Sequence, residues 1–171
     1  MTSIGIIIYN SFGFPLLTWL VFLPLAGAIL VFFIRGNDPL VRQLAIGFMA
    51  GDFILSLLVL ANFDSSTYYM QLAEKHPWIP SFNVNYALGI DGISMLMVLL
   101  TAFLTPISVI ASWGAVQERV REFMIAMLIL ESAVLGVFLS LDLVLFYIFW
   151  EAMLIPLYLL IGIWGGAGRL Y

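Results

Sequence analysis

In the stretch FYIFWEAMLIPLYLLIGIWGG, Phe146 to Gly166, one carboxylate, Glu151, stands among some twenty apolar residues, five positions ahead of Pro156. An ionised side chain at the centre of a bilayer costs at least ~2.5–3.5 kcal/mol on insertion scales, so a group placed there is neutral, hydrated or paired. Within the apolar segment Leu143 to Trp164, Glu151 is the ninth of 22 residues. That is about 12 Å along the axis at ~1.5 Å per residue, close to the midplane. Pro156 has no N–H, so the carbonyl of Ala152 loses its helical partner and the helix bends. A carboxyl group beside a freed carbonyl makes a small polar site able to hold water at membrane depth. Burial favours a neutral carboxyl and a neighbouring lysine a charged one, so a group switched between those surroundings takes and releases a proton. The competing reading of Glu151 is a protonated, hydrogen-bonded packing residue.

Two further acids fall inside apolar segments. Glu131, in LILESAVLG, lies nearly midway through its segment and is a candidate for a place on a proton path, with simple packing as the alternative. Asp52 follows Gly47 and Gly51 and reads as a polar residue at a helix contact. Asp142 and Asp91 each open an apolar segment, where an acid caps free N–H groups and suits the helix dipole. Nine residues separate Asp142 from Glu151, roughly 180° of helix rotation, which rules out a carboxylate dyad between them. Pro106 and Pro24 free the carbonyls of Ala102 and Leu20 in the same way as Pro156, and serve as supporting kinks. His76, without neighbouring ligands, is a surface residue rather than a metal site. All six Lys and Arg residues read as loop residues, so a basic partner for Asp52, Glu131 or Glu151 must come from other protein.

The elements that would hold these groups follow from composition. Of 171 residues, 64% are hydrophobic and 9% charged, far more apolar than a water-soluble domain of this size requires. The apolar runs approach twenty residues, which suits helices crossing lipid rather than the short alternating strands of an outer-membrane barrel. The expected fold class is all-α: a polytopic transmembrane helix bundle forming a single membrane domain. Its five spans are expected near 15–34, 44–62, 93–113, 123–141 and 143–164. The turn between the last two must be tight. Arg35, Arg42, Arg119, Arg121 and Arg169 would lie on one side and only Lys75 on the other, which places the N-terminus outside and the long loop 63–89 on the outer face. Within that loop, KHPWIPSFNVNY has the makings of a short hairpin or an interfacial cover. Gly47 and Gly51, and Ser132, Gly136 and Ser140, recur at four-residue spacing and would let helix backbones approach closely. The opening MTSIGIIIYN lacks a basic region and is not read as a cleavable signal peptide. With no cysteine and one histidine, the chain cannot provide thiolate iron–sulfur ligation or a bis-histidine haem site. A scattered net charge of −4 gives no reason to expect a nucleic-acid partner.

LGIDGISMLMVLLTAFLTPISVIASW, followed by GVFLSLDLVLFYIFWEAMLIPLYLLIGIWGG, resembles the first five helices of the subunit M (chain four) family of NADH-quinone oxidoreductase, respiratory complex I. The DGIS opening, the FWE-x-x-L-I-P core and the terminal IWGG arrive in order and at the expected separation, and the resemblance covers most of the chain from about residue 77. It implies an antiporter-like subunit that moves protons while partner subunits pass electrons from NADH to quinone. Glu151 matches the functional glutamate of the fifth helix, whose lysine partner lies on a later helix. The resemblance also implies that FMN, iron–sulfur clusters and quinone sit in partner subunits, none in this chain, and that other membrane-arm subunits and lipids surround it. No soluble small-molecule substrate binds directly. A bacterial inner membrane is expected ahead of a mitochondrial one. Such subunits have about fourteen helices, so five would be an N-terminal part of the fold, holding the first two helices of the first inverted repeat. Two alternatives stand beside this reading: a subunit of a Mrp-type cation/proton antiporter, and a structural or assembly piece that does not pump.

Overall fold

A computed structural model describes residues 7–9 and 14–166. The expected bundle is present: α1 (Leu16–Phe33), α2 (Asp38–Ala61), α3 (Gly92–Ala111), α4 (Val120–Leu139) and α5 (Leu143–Trp164) are each long and apolar enough to cross a membrane. Beside them lies a small sheet, β1 (Ile7–Tyr9), β2 (Met70–Ile79) and β3 (Val84–Ile90), with β1 parallel and β3 antiparallel to β2. The Pro-rich loop thus does form a hairpin, its tip a single 3₁₀ turn over Pro80–Phe82, followed by Asn83 in the left-handed region at φ 53°. The opening residues read against a signal peptide lie mostly outside the described residues, as does Arg169.

α4 is the centre of the bundle, packed against α1, α2, α3 and α5. Two apolar clusters fill the interior. One, around Leu20, Leu88, Met95 and Leu139, sits under the hairpin; the other, around Met49, Met124 and Leu128, sits toward the opposite end. Burial is uneven, because α4 has partners on most sides while α3 and α5 are largely uncovered.

The helix starts follow local chemistry. Asn37 accepts from the Leu40 N–H at 3.1 Å, with a proline in the first turn, and so α2 begins six residues before the expected boundary at 44. This overturns one expectation: Arg42 is not a loop residue but lies in the second turn of α2, 5% exposed. Its guanidinium donates to the carbonyls of Trp113 and Val116 and lies 4.9 Å from the Trp113 ring centre. A fork of fixed donors satisfying carbonyls of the α3–α4 connection suits arginine in a way lysine would not. Arg121 is likewise in the first turn of α4, beside Glu122 at 3.5 Å.

The two stripes of small residues behave differently. Along α4 the expectation holds, since a Cβ added at Gly136 would come within 2.3–2.6 Å of the Phe149 ring of α5, and Ser132 donates from its hydroxyl to the Val21 carbonyl of α1 at 2.6 Å. Along α2 it fails. Gly47 has nothing within 4 Å of an added Cβ and Gly51 meets only Leu23 at 3.6 Å, whereas the close approach of α1 and α2 is at Gly27, against Phe48. Gly136→Val is therefore expected to destabilise the α4–α5 contact by about 1–3 kcal/mol, while Gly47→Ala leaves stability near the native level. Thermal unfolding in a mild detergent distinguishes the two.

Candidate functional site

The helix termini sort the charged groups to two ends. Arg35, Arg42, Arg119 and Arg121 gather at the end formed by the α1–α2 and α3–α4 connections, where Arg35, Arg119 and Arg121 border a polar hollow together with Asp38 and Glu122. Lys75, His76, Asp91 and Asp142 lie at the hairpin end, His76 exposed on β2 opposite Tyr86. Both expected caps are present. Asp91 accepts from the Ile93 and Ser94 N–H groups and forms a capping box with Ser94, whose backbone N–H is the main reason its carboxyl titrates below the usual range. Asp142 caps α5 through Val144 and Leu145, and it also accepts from the Asn85 N–H of β3 at 2.9 Å, the chief cause of its own lowered pKa. The tight α4–α5 turn is fastened to the same strand, with the Leu141 N–H donating to Ala87 at 2.8 Å.

A sixth carboxylate, Glu74, was not singled out by sequence reasoning. α1 has no capping side chain of its own at Pro15. Glu74, reaching from β2, accepts instead from the Leu17 N–H at 2.8 Å, the Thr18 N–H at 3.0 Å and the Thr18 hydroxyl at 2.6 Å. The Thr18 hydroxyl also shares a 2.8 Å hydrogen bond with the Tyr86 hydroxyl, whose pKa is pushed up, chiefly by burial. An acid at a helix N-terminus needs no functional explanation. The sequence signal for it was absent because its partner lies 57 residues away.

The three mid-span acids divide into two settings. Glu151 is the ninth residue of α5, as expected, and its side chain is exposed on the uncovered face of that helix. Tyr147, one turn earlier, interacts with its carboxylate, and Leu154, Ile155 and Tyr158 continue the same exposed face. Pro156 is buried, on the side facing the bundle, beside Ile125 and Ile129 of α4. Pro106 is half-buried in α3. Glu131 and Asp52, by contrast, are 1% and 0% exposed, on α4 and α2, and are close enough for the charge of Asp52 to act on Glu131. Neither Glu131 oxygen nor either Asp52 oxygen has a hydrogen-bond partner among the described residues. The structure thus joins two residues that the sequence treated separately. Chemically, Glu151 presents an ionisable group to whatever covers α5, and Asp52 with Glu131 forms an internal carboxyl pair. No set of three or more His, Cys, Asp or Glu able to hold a metal occurs among the described residues.

Residues 19–137 match the family described as NADH-ubiquinone oxidoreductase chain 4, amino terminus, and residues 140–170 match the one described as NADH:quinone oxidoreductase/Mrp antiporter, TM. Among curated relatives, NADH-quinone oxidoreductase subunit M of Rhodobacter capsulatus is 47% identical over 161 residues, covering 91% of this chain and 31% of the relative. F(420)H(2) dehydrogenase subunit M of Methanosarcina mazei is 42% identical over 159 residues, with 91% and 31% covered. The chain therefore spans about a third of the length of these relatives. A chain in the respiratory complex I of Thermus thermophilus with bound NADH superposes with a TM-score of 0.74 at 28% identity, over 90% of this chain and 30% of that one. The five apolar helices, the mid-span acids and the matches over almost the whole sequence agree: the chain is an integral membrane protein and belongs to the NADH-ubiquinone oxidoreductase chain 4 family.

Proposed function

We propose that the chain acts within a proton-translocating membrane-arm subunit of NADH:quinone oxidoreductase, respiratory complex I, which couples NADH oxidation and quinone reduction to proton pumping. The observation that carries this reading is the setting of Glu151. An ionisable group at mid-depth, on a helix face that the other four helices leave uncovered, is costly against lipid and serviceable against protein. Further helices of the same subunit, with a basic side chain among them, would cover that face and set when Glu151 holds its proton. Pro156 bends α5 just past Glu151 and withdraws an N–H from the Ala152 carbonyl, which favours water beside the carboxyl. The chain itself transfers no electrons in this reading. Without cysteine, and with one exposed histidine, its donor set does not fit an iron–sulfur cluster, and FMN, the clusters and quinone belong to partner subunits. The arginine-rich end faces inward, placing the hairpin and the N-terminus outside, in a bacterial inner membrane.

A second reading has a specific observation behind it. The family matched over residues 140–170 is described as NADH:quinone oxidoreductase/Mrp antiporter, which takes in Mrp antiporters as well. Purification of the tagged protein from its native membrane tests both. Complex I predicts that flavin- and iron–sulfur-bearing subunits come with it and that the preparation oxidises NADH. Recovery with membrane antiporter subunits and no redox centre would replace this reading with the Mrp one.

A further inference from the structure

Asp52 and Glu131 are held in a part of the bundle where no other charged side chain of the described residues answers their charge. α1 and α3, which pack on both α2 and α4, carry no Asp, Glu, Lys, Arg or His within their spans. On α2 itself the nearest basic group, Arg42, is ten residues away, roughly 15 Å along the axis, and its donors are spent on the carbonyls of Trp113 and Val116. On α4, Arg121 lies at a similar distance, beside Glu122. α5 contributes Tyr147, Glu151 and Tyr158, all directed away from the bundle. Two serines adjoin the acids in sequence or on the next turn, but their hydroxyls donate elsewhere, Ser56 to the Phe53 carbonyl and Ser132 to the Val21 carbonyl.

All four carboxyl oxygens are thus buried and without a donor among the described residues. Two carboxylates this close in an apolar interior cannot both be ionised. The stable state holds two protons, and once the first has left, the charge that remains opposes loss of the second. Depth reinforces the point. Asp52 is the fifteenth of 24 residues of α2, and Glu131 the twelfth of 20 of α4. These two helices run in the same direction, so both groups sit a little beyond halfway from the arginine-rich end, away from either surface.

We propose that Asp52 and Glu131 form a second protonatable centre, distinct from Glu151: an internal carboxyl pair that binds and releases a single proton as a unit. The balanced step is loss of one proton from the doubly protonated pair to water, giving hydronium and a singly ionised pair, and its reverse. The inference deepens the proton-translocating reading and rests on it for its physiological meaning, but the site itself is observable without turnover.

The test uses the complete assembly in its native membrane, with Asp52→Asn, Glu131→Gln and the double variant, read by infrared spectroscopy of the protonated-carboxyl C=O stretch and by proton counting after a pH jump. The native protein should show a protonated-carboxyl band at neutral pH, sensitive to deuterium exchange, that the double variant lacks. The double variant should release about one proton fewer than the native protein, whereas each single variant keeps one acid and should release its proton at a pH shifted from the native one, because in the native protein the two groups titrate as one unit. The amides can hydrogen-bond to each other or to the remaining acid, so thermal stability should stay at or above the native value, separating a proton site from a packing role. Glu151→Gln should leave the band in place, so failure of the Glu151 assignment would not erase this result. Native proton release in the double variant would overturn the proposal. So would a carboxylate band in the native protein that responds to sodium ions, which would make the pair a cation site instead.

Discussion

Glu151→Gln in the assembled complex is expected to lower proton translocation and the coupled oxidation of the electron donor together, by about tenfold or more, the usual scale for losing a proton-transfer group. The amide keeps the shape and hydrogen-bonding capacity of the side chain and removes only its titration. Nothing in the described bundle depends on the charge of Glu151, because its side chain faces outward and the interaction with Tyr147 survives in an amide. Assembly and thermal stability should therefore remain native while coupled activity falls. Glu151→Asp, which keeps the titrating group on a stem one methylene shorter, should retain part of the activity. Native proton pumping in a fully assembled Glu151→Gln complex would remove Glu151 from the proton path. A complex that fails to assemble would instead show that the carboxylate holds a neighbouring helix in place, a structural role.

What could be read from the sequence divides along the range of the interactions. Asp91 and Asp142 cap helices that begin one residue later, and local spacing was enough to find them. The five spans and the hairpin in the Pro-rich loop were legible for the same reason, since length, apolarity and turn residues are local properties. Arg42 was misplaced because apolarity alone set the start of α2, although Asn37, Asp38 and Pro39 already form an N-terminal signal. A stripe of small residues does not say which neighbour it faces: Gly136 meets Phe149, Gly47 meets nothing, and Gly27, which stands in no stripe, receives Phe48. The partnership of Asp52 with Glu131 depends on α2 packing against α4, 79 positions apart in the chain, and no periodicity within either helix encodes it.

Glu74 gives the second large expected effect, and it is a structural one. Replacing it with alanine removes the side chain that caps the N-terminus of α1, leaving the Leu17 and Thr18 N–H groups without the acceptor they now share. It also removes the Thr18 hydroxyl's bond to Glu74, so that of the two contacts the hairpin makes with that hydroxyl only the one from Tyr86 is left. Loss of a cap together with two poorly hydrated donors corresponds to about 2–5 kcal/mol. Glu74→Ala should accordingly show a lower unfolding temperature in detergent and faster proteolysis within the hairpin. Glu74→Gln keeps one carbonyl oxygen as acceptor but turns an amide NH₂ toward donors, so it should fall between alanine and the native protein. The carboxylate is 6% exposed at the hairpin end, far along α1 from the mid-span acids. Hence whatever activity either variant loses should follow its loss of folded protein. A Glu74→Gln complex of native stability with impaired proton pumping would contradict that, and would place this acid on the outer mouth of a proton route instead of at a helix cap.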